Sequence, residues 1–251
     1  MHSVNRFVAM IALEQPTILP VEPFVAAYKR RFPDRAEMLL PAGKPSVPVL
    51  QQLRNVEDAL TVNVGGTPIS IISVGGPLPT GTLDHAIATC RLWPDAAPRL
   101  SAHAGHIIVA ALEEAKGYEE AINSAGAVMS VVSVLCDMAA AIGVYWATGE
   151  TVTPAQRFQN YTDNLLRCGA APIEMWVAYL WLDGPSSNGC RTLGVMTTGM
   201  FPFIGREFEF LPTTLQPRIV ADRLTGAISY VLTRGLVLRT GDTLGQPARS
   251  A

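Results

Sequence analysis

Chemistry in this chain has to come from a short set of side chains. The histidines are His2, His85, His103 and His106. His103 and His106 stand three residues apart, a spacing at which neutral imidazoles can share a helix face and ligate a transition metal. A site of that kind needs a third ligand, and His85, Asp84 and Glu113 are the candidates. No H-E-x-x-H context surrounds the pair, and such context is what makes the spacing diagnostic. The plainer reading has His103 capping or packing in a loop while His106 opens a strand. A metal-dependent hydrolase using His85, His103 and His106 is therefore the alternative reading, and the leading one calls for no metal and no cofactor.

Two carboxylates form the second candidate. Glu207 and Glu209 lie two apart in Arg206–Leu211, whose alternation reads as a strand with Phe208 and Phe210 turned inward. Paired carboxylates do acid–base work when burial separates their pKa values. Like charges on one strand face are more often the solvated side, and that is the expectation for Glu209. Glu207 follows the Gly205–Arg206 turn, where loops often carry function. Arg206 and Glu207 therefore join His103 and His106 as candidate binding residues, and no catalytic residue is assigned.

Cysteine offers little. Cys90, Cys136, Cys168 and Cys190 contain no C-x-x-C pair, so neither a zinc knuckle nor a thioredoxin-like motif is present. Cys136 falls in an oily stretch and is expected to be inert. Cys168 and Cys190 each adjoin an arginine, which could lower a thiol pKa, but no histidine lies in the C-terminal half as a sequence-near base. The chain also has no G-x-S-x-G elbow, Walker loop or dinucleotide fingerprint.

The elements that must position these residues are legible from pattern. Phe7–Leu13 is a bounded apolar run and reads as a buried strand. Pro20–Phe32 reads as a helix with prolines at its start and a basic last turn. Pro41–Pro48 reads as a loop. Leu60–Val64 and Ile69–Val74 flank Gly65-Gly66, a hairpin signal. Helices are expected over Thr82–Trp93, Glu119–Ala141 and Thr153–Arg167, the last with Thr153 at the N-cap and Pro154 at N1. Strands are expected at His106–Leu112, Val144–Ala147, Ile173–Leu182, Thr192–Thr198 and Leu236–Arg239, with a Gly/Ser-rich loop at Asp183–Gly189. Pro217–Arg234 reads as a helix stopped by Gly235.

These elements give an α+β class, with antiparallel or mixed sheets covered by helices. The recurrence of strand, helix and hairpin points to two related ferredoxin-like halves, residues 1–112 and 113–251, sharing one core as a compact unit.

Composition narrows the partners. Hydrophobic residues are 49% of the 251, charged residues 16%, and the formal net charge is −2. Such an oily chain buries a large core, and disorder is excluded. No basic stripe exists to neutralise phosphates, so nucleic acid is not an expected partner. The uncharged run Ala121–Cys136, with the apolar character that resumes after Asp137 to Ala147, would pass on length as a membrane span, but Asp137 would sit near its middle. A carboxylate there costs about 2.5–3.5 kcal/mol on insertion scales, so a core helix is expected and no membrane span. Phe7–Leu13 is too short for a secretory segment, which places the protein in the cytoplasm. With so few charges to cover its surface, the protein is expected to carry an apolar patch met by a protein partner or a second copy.

The C-terminal half resembles a known family. Gly143-Val144-Tyr145-Trp146, the Pro172–Val177 segment, Thr198-Gly199-Met200, the run Phe203–Glu209 and the closing Arg239–Gly245 together resemble the bacterial domain-of-unknown-function family 4261, over about residues 130–246. Phe203-Ile204-Gly205 carries one residue more than the Phe-Gly pair expected there. The family implies a bacterial origin and no catalytic residue. Its glycines read as turns and Trp146 and Trp176 as core anchors. A non-enzymatic protein-binding module, of the immunity or accessory kind, is the function expected.

Overall fold

In the computed structural model, residues 6–43, 56–90, 92–187, 190–235 and 237 are described. The strands are β1 (Val8–Leu13), β2 (Leu39–Gly43), β3 (Val56–Val64), β4 (Thr67–Val74), β5 (Gly105–Ala111), β6 (Ala141–Trp146), β7 (Thr151–Pro154), β8 (Ala178–Ser187), β9 (Cys190–Thr198) and β10 (Glu209–Thr213). The helices are α1 (Val21–Arg31), α2 (Asp84–Thr89), α3 (Ala96–Leu100), α4 (Tyr118–Met138), α5 (Ala155–Cys168), α6 (Ile173–Trp176), α7 (Phe201–Ile204) and α8 (Pro217–Arg234), with a 3-10 turn at Pro33–Met38. The protein is α+β.

A seven-stranded antiparallel sheet runs β2-β3-β4-β5-β1-β6-β7. β1 lies inside it, with Ile11 opposite Ile107 on one side and Val144 on the other. The β1–β6 pairing crosses residue 112, so the two parts of the chain share one sheet. Alternation along β1 sends Ala9, Ile11 and Leu13 into the main core and Met10 and Ala12 to the opposite face.

Helices cover both faces. α1, α4, α5 and α8 contribute to the main core, whose largest fully buried side chains include Trp146, Trp176, Tyr28, Phe7, Phe24 and Phe158. α2 and α3 close the other face with Leu83, Ala86, Ala96 and Leu100, joined by Trp93. The hairpin turn has φ of 58° at Gly65 and 90° at Gly66, the left-handed conformation that glycine adopts without a Cβ penalty.

α4 is long and apolar enough to cross a membrane by length and composition, and 78% of its most apolar window is buried inside the protein. Asp137 sits at its end rather than its middle. There it accepts from Arg31 Nη1 at 2.7 Å and from Gln159 Nε2 at 2.5 Å, while Arg31 Nη2 reaches Asp163 at 3.1 Å. One arginine thus ties α1 to both α4 and α5.

A second, smaller sheet runs β10-β9-β8. Its inner face packs Tyr179, Trp181, Val195 and Phe210 against the main core. Tyr179 also exchanges a hydrogen bond with Thr225 of α8, at 2.8 Å.

Several elements depart from their sequence pattern. Thr153 and Pro154 end β7, paired with Val144 and Gly143, so α5 begins without a threonine cap. Ile173–Trp176 forms a helical turn before β8, because Pro172 accepts backbone hydrogen bonds from Met175 and Trp176. Residues 183–187 extend β8 rather than looping, and Leu39–Gly43 makes β2 where Pro41 suggested a loop. The strand expected at Leu236–Arg239 and the motif at Arg239–Gly245 lie outside the described residues, Val237 excepted.

Candidate functional site

Three of the four ring nitrogens of the histidine pair meet backbone groups. His106 pairs across β5 with Val74 of β4, and its Nδ1 donates to the Gly76 carbonyl at 2.7 Å. His103, in the loop before β5, accepts the Leu78 amide on Nε2 at 2.7 Å and donates from Nδ1 to the Leu100 carbonyl at 2.5 Å. Both rings therefore hold one segment, the Gly76–Leu78 turn between β4 and α2. His106 is buried, and burial lowers its pKa first, with the neighbouring His103 adding to the effect.

His85 lies apart, on exposed α2, with Nε2 at 3.3 Å from Glu150 Oε2. Among the described residues no three His, Cys, Asp or Glu side chains come together to hold a metal. The set His85, His103 and His106 is thus not assembled: two members are committed to the backbone of one turn and the third faces a glutamate.

Glu207 overturns the simple strand reading. β10 starts at Glu209, and Glu207 precedes it, half-buried. Its Oε1 accepts the amides of Gly199 at 3.0 Å and Phe201 at 2.9 Å. Its Oε2 accepts the Met200 amide at 3.0 Å and the Thr197 hydroxyl at 2.7 Å. A carboxylate offers about four acceptor positions, and all are used, so this glutamate organises the β9–α7 connection rather than waiting for a ligand. Arg206 beside it is exposed, and so is Glu209, as expected of the solvated side.

Gly199 takes φ of 114° in that connection, and a Cβ there would meet the Trp176 carbonyl oxygen. Gly149 presses on the same carbonyl from the β6–β7 turn. The family-like glycine at 199 is therefore required both by its backbone angle and by close approach.

The cysteines divide as their positions imply. Cys136 is buried and its thiol is pushed up to about 12, mainly by that burial. Cys168 and Cys190 are exposed, and Cys90 is half-buried with Sγ 3.6 Å from the Val152 carbonyl.

A feature that sequence reasoning did not find is the outer face of the small sheet. Register places Leu180 opposite Met196 and Met196 opposite Glu209, with Leu182 opposite Gly194. Leu182 and Met196 are exposed there, and beyond the β10 register shift Pro212 lies over Gly194 and Gly184 with exposed Leu211 beside it. The run Ile173–Leu182 is apolar at almost every position, so hydrophobicity alone could not separate its buried side, Tyr179 and Trp181, from its solvent side. The signal lay in Glu209, whose charge falls opposite Met196 and marks that side of the sheet as open.

Residues 196–250 match the family described as a domain of unknown function, DUF4261. The match covers β9 from Met196, the Glu207 connection, β10 and α8, and it starts after the segments at 143–146 and 172–177. No curated protein and no solved structure matches the chain.

Proposed function

We propose that this protein is a non-enzymatic protein-binding module of the bacterial cytoplasm, of the immunity or accessory kind, and that it binds through the outer face of the β8–β9–β10 sheet. The observation carrying this reading is the exposed apolar side chains on and beside that face: Leu182 is 41% exposed, Met196 37% and Leu211, at the β10 register shift, 71%. Scattered surface leucines need no explanation, whereas apolar side chains gathered on one face mark an interaction surface. The engagement of His103, His106 and Glu207 with backbone groups agrees with it, since these were the side chains most open to catalysis. The matched segment 196–250 itself contributes Met196 and Leu211.

The occupant we assign is a second copy of this chain. Asp183 and Arg191 pair at 2.5 Å on the same hairpin with both side chains exposed. The pair neutralises itself within the hairpin, so this end of the sheet adds no net charge against a second copy. A net charge of −2 opposes self-association only weakly. Photo-crosslinking residues placed at Met196 and Leu211, with Glu22 on α1 as the control, test this directly. A crosslinked dimer from 196 and 211 but not from 22 is expected, together with a dimeric mass by light scattering that Leu211→Asp reduces to a monomer. A discrete adduct with another protein would replace the occupant while retaining the binding face. No adduct from either position would refute the reading.

A further inference from the structure

We propose that the cavity bounded by the end of α2, the turn before β7, α6, the start of β8 and the middle of α8 binds a small organic cation, a primary amine or guanidinium on a short apolar body. Its volume is about 290 Å³, near the lower end of the roughly 300–1,000 Å³ of small-molecule sites. The floor is apolar: Ala86, Val152, Val177 and Ala178 line it and are buried.

The mouth is acidic. Glu150, Glu174 and Asp222 reach it from three separate elements, and the described lining holds no lysine or arginine. These carboxylates keep acceptor capacity. Among the described residues Glu150 pairs with His85 Nε2, at 3.3 Å, and both side chains are near half exposed. Glu174 accepts the Tyr161 hydroxyl. Arg218 lies 4.0 Å from Asp222 on an open helix surface. Among the described residues, Arg157 also lies nearby and donates to the Leu92 carbonyl at 2.7 Å. Each carboxylate has about four lone-pair positions, so a cation in the mouth can be met from more than one side.

The neighbouring phenols feel this negative field. Tyr161 is pushed up to about 12 by burial and then by Glu174, Tyr179 is raised by burial with Glu174 adding to it, and Tyr145 is raised by burial and then by Glu150. They stay protonated and neutral. Apolar walls below a ring of like charge concentrate the field at the mouth. The arrangement fits a cationic head held at the carboxylates with its carbon body on the Val152–Val177 floor, and it rejects an anion of the same shape.

This inference goes beyond the protein-binding reading, because the cavity lies on the inner side of β8, away from Leu182, Met196 and Leu211. Cys90 lines the cavity, so its alkylation reports occupancy, with exposed Cys168 and Cys190 as internal references. The full-length chain would be treated with iodoacetamide and isoamylamine hydrochloride or, at equal concentration, sodium isovalerate. Rates are read peptide by peptide by mass spectrometry. The amine should slow Cys90 alkylation about fivefold relative to Cys168 and Cys190, and isovalerate should leave it unchanged. Asp222→Asn and Glu150→Gln should each raise the amine concentration for half protection by about fivefold, the effect of one partly exposed charge pair. Melting curves without amine confirm that each variant is folded, and Asp222→Asn, on the exposed side of α8, decides the matter if Glu150→Gln disturbs its turn. Equal protection by amine and carboxylate, no protection by either, or protection indifferent to Asp222→Asn would overturn the proposal.

Discussion

Phe203 stacks on Trp176, with ring centroids 4.9 Å apart and 27° between the planes. Phe203 also meets Phe7, at 5.2 Å, so the short α7 inserts one ring between the N-terminal strand and the α6 turn. Removing that ring opens a cavity between two aromatic neighbours. Phe203→Ala should cost about 3–5 kcal/mol in urea unfolding. Phe208 is only half-buried, and Phe208→Ala should cost roughly 1–2 kcal/mol, as a partial burial implies.

Glu207 separates from Glu209 in the same measurement. Deleting its carboxylate leaves the amides of Gly199, Met200 and Phe201 without their acceptor. Glu207→Ala should therefore destabilise by about 2–3 kcal/mol, the scale of hydrogen bonds to a charged group. Glu209→Gln, on an exposed site, should stay within about 0.5 kcal/mol. Equal effects at the two positions would remove Glu207 from its structural role.

His106 sets a pH dependence of known sign. Its folded pKa is lowered by burial, so on acidification the unfolded state takes up the proton first. The stability it contributes is complete above the unfolded value, about 6.5, and is lost as the pH falls toward the lower folded value. Relative to His106→Asn, the natural protein should lose up to about 1.4 kcal/mol more between about pH 7.5 and about pH 5.5. Paired denaturation curves check this, and a parallel pH response in the two proteins would contradict it.

The fold was more legible than the sites, for a physical reason. Periodicity and turn chemistry are local, so Phe7–Leu13, the Gly65-Gly66 hairpin and the Pro217–Arg234 helix ended by Gly235 were found within a residue or two. The β7 assignment of Thr153 and Pro154 was not, because a capping signature and a strand end use the same residues and only the pairing with β6 decides between them. Glu207 illustrates the limit for sites. Its partners Thr197, Gly199, Met200 and Phe201 are all within ten residues. Yet the chain reverses between them, and sequence spacing carries no sign of that reversal. The acidic mouth of the cavity gathers residues 150, 174 and 222, a juxtaposition that no local pattern encodes.

The inner position of β1 bears on how the chain is made. Leu13 pairs with Gly105, and the β6 partners come later still, at Ala141–Trp146. About 90 residues must be synthesised after β1 before its first neighbour exists, which at roughly 5–20 residues per second takes about 5–18 s. Throughout that interval Val8–Leu13, an apolar segment with two unsatisfied backbone edges, is a template for pairing with other nascent chains. Yield in cells should thus depend on chaperone occupancy of β1 and on elongation rate through residues 14–104, while the finished sheet, with β1 covered on both sides, retains no trace of the hazard.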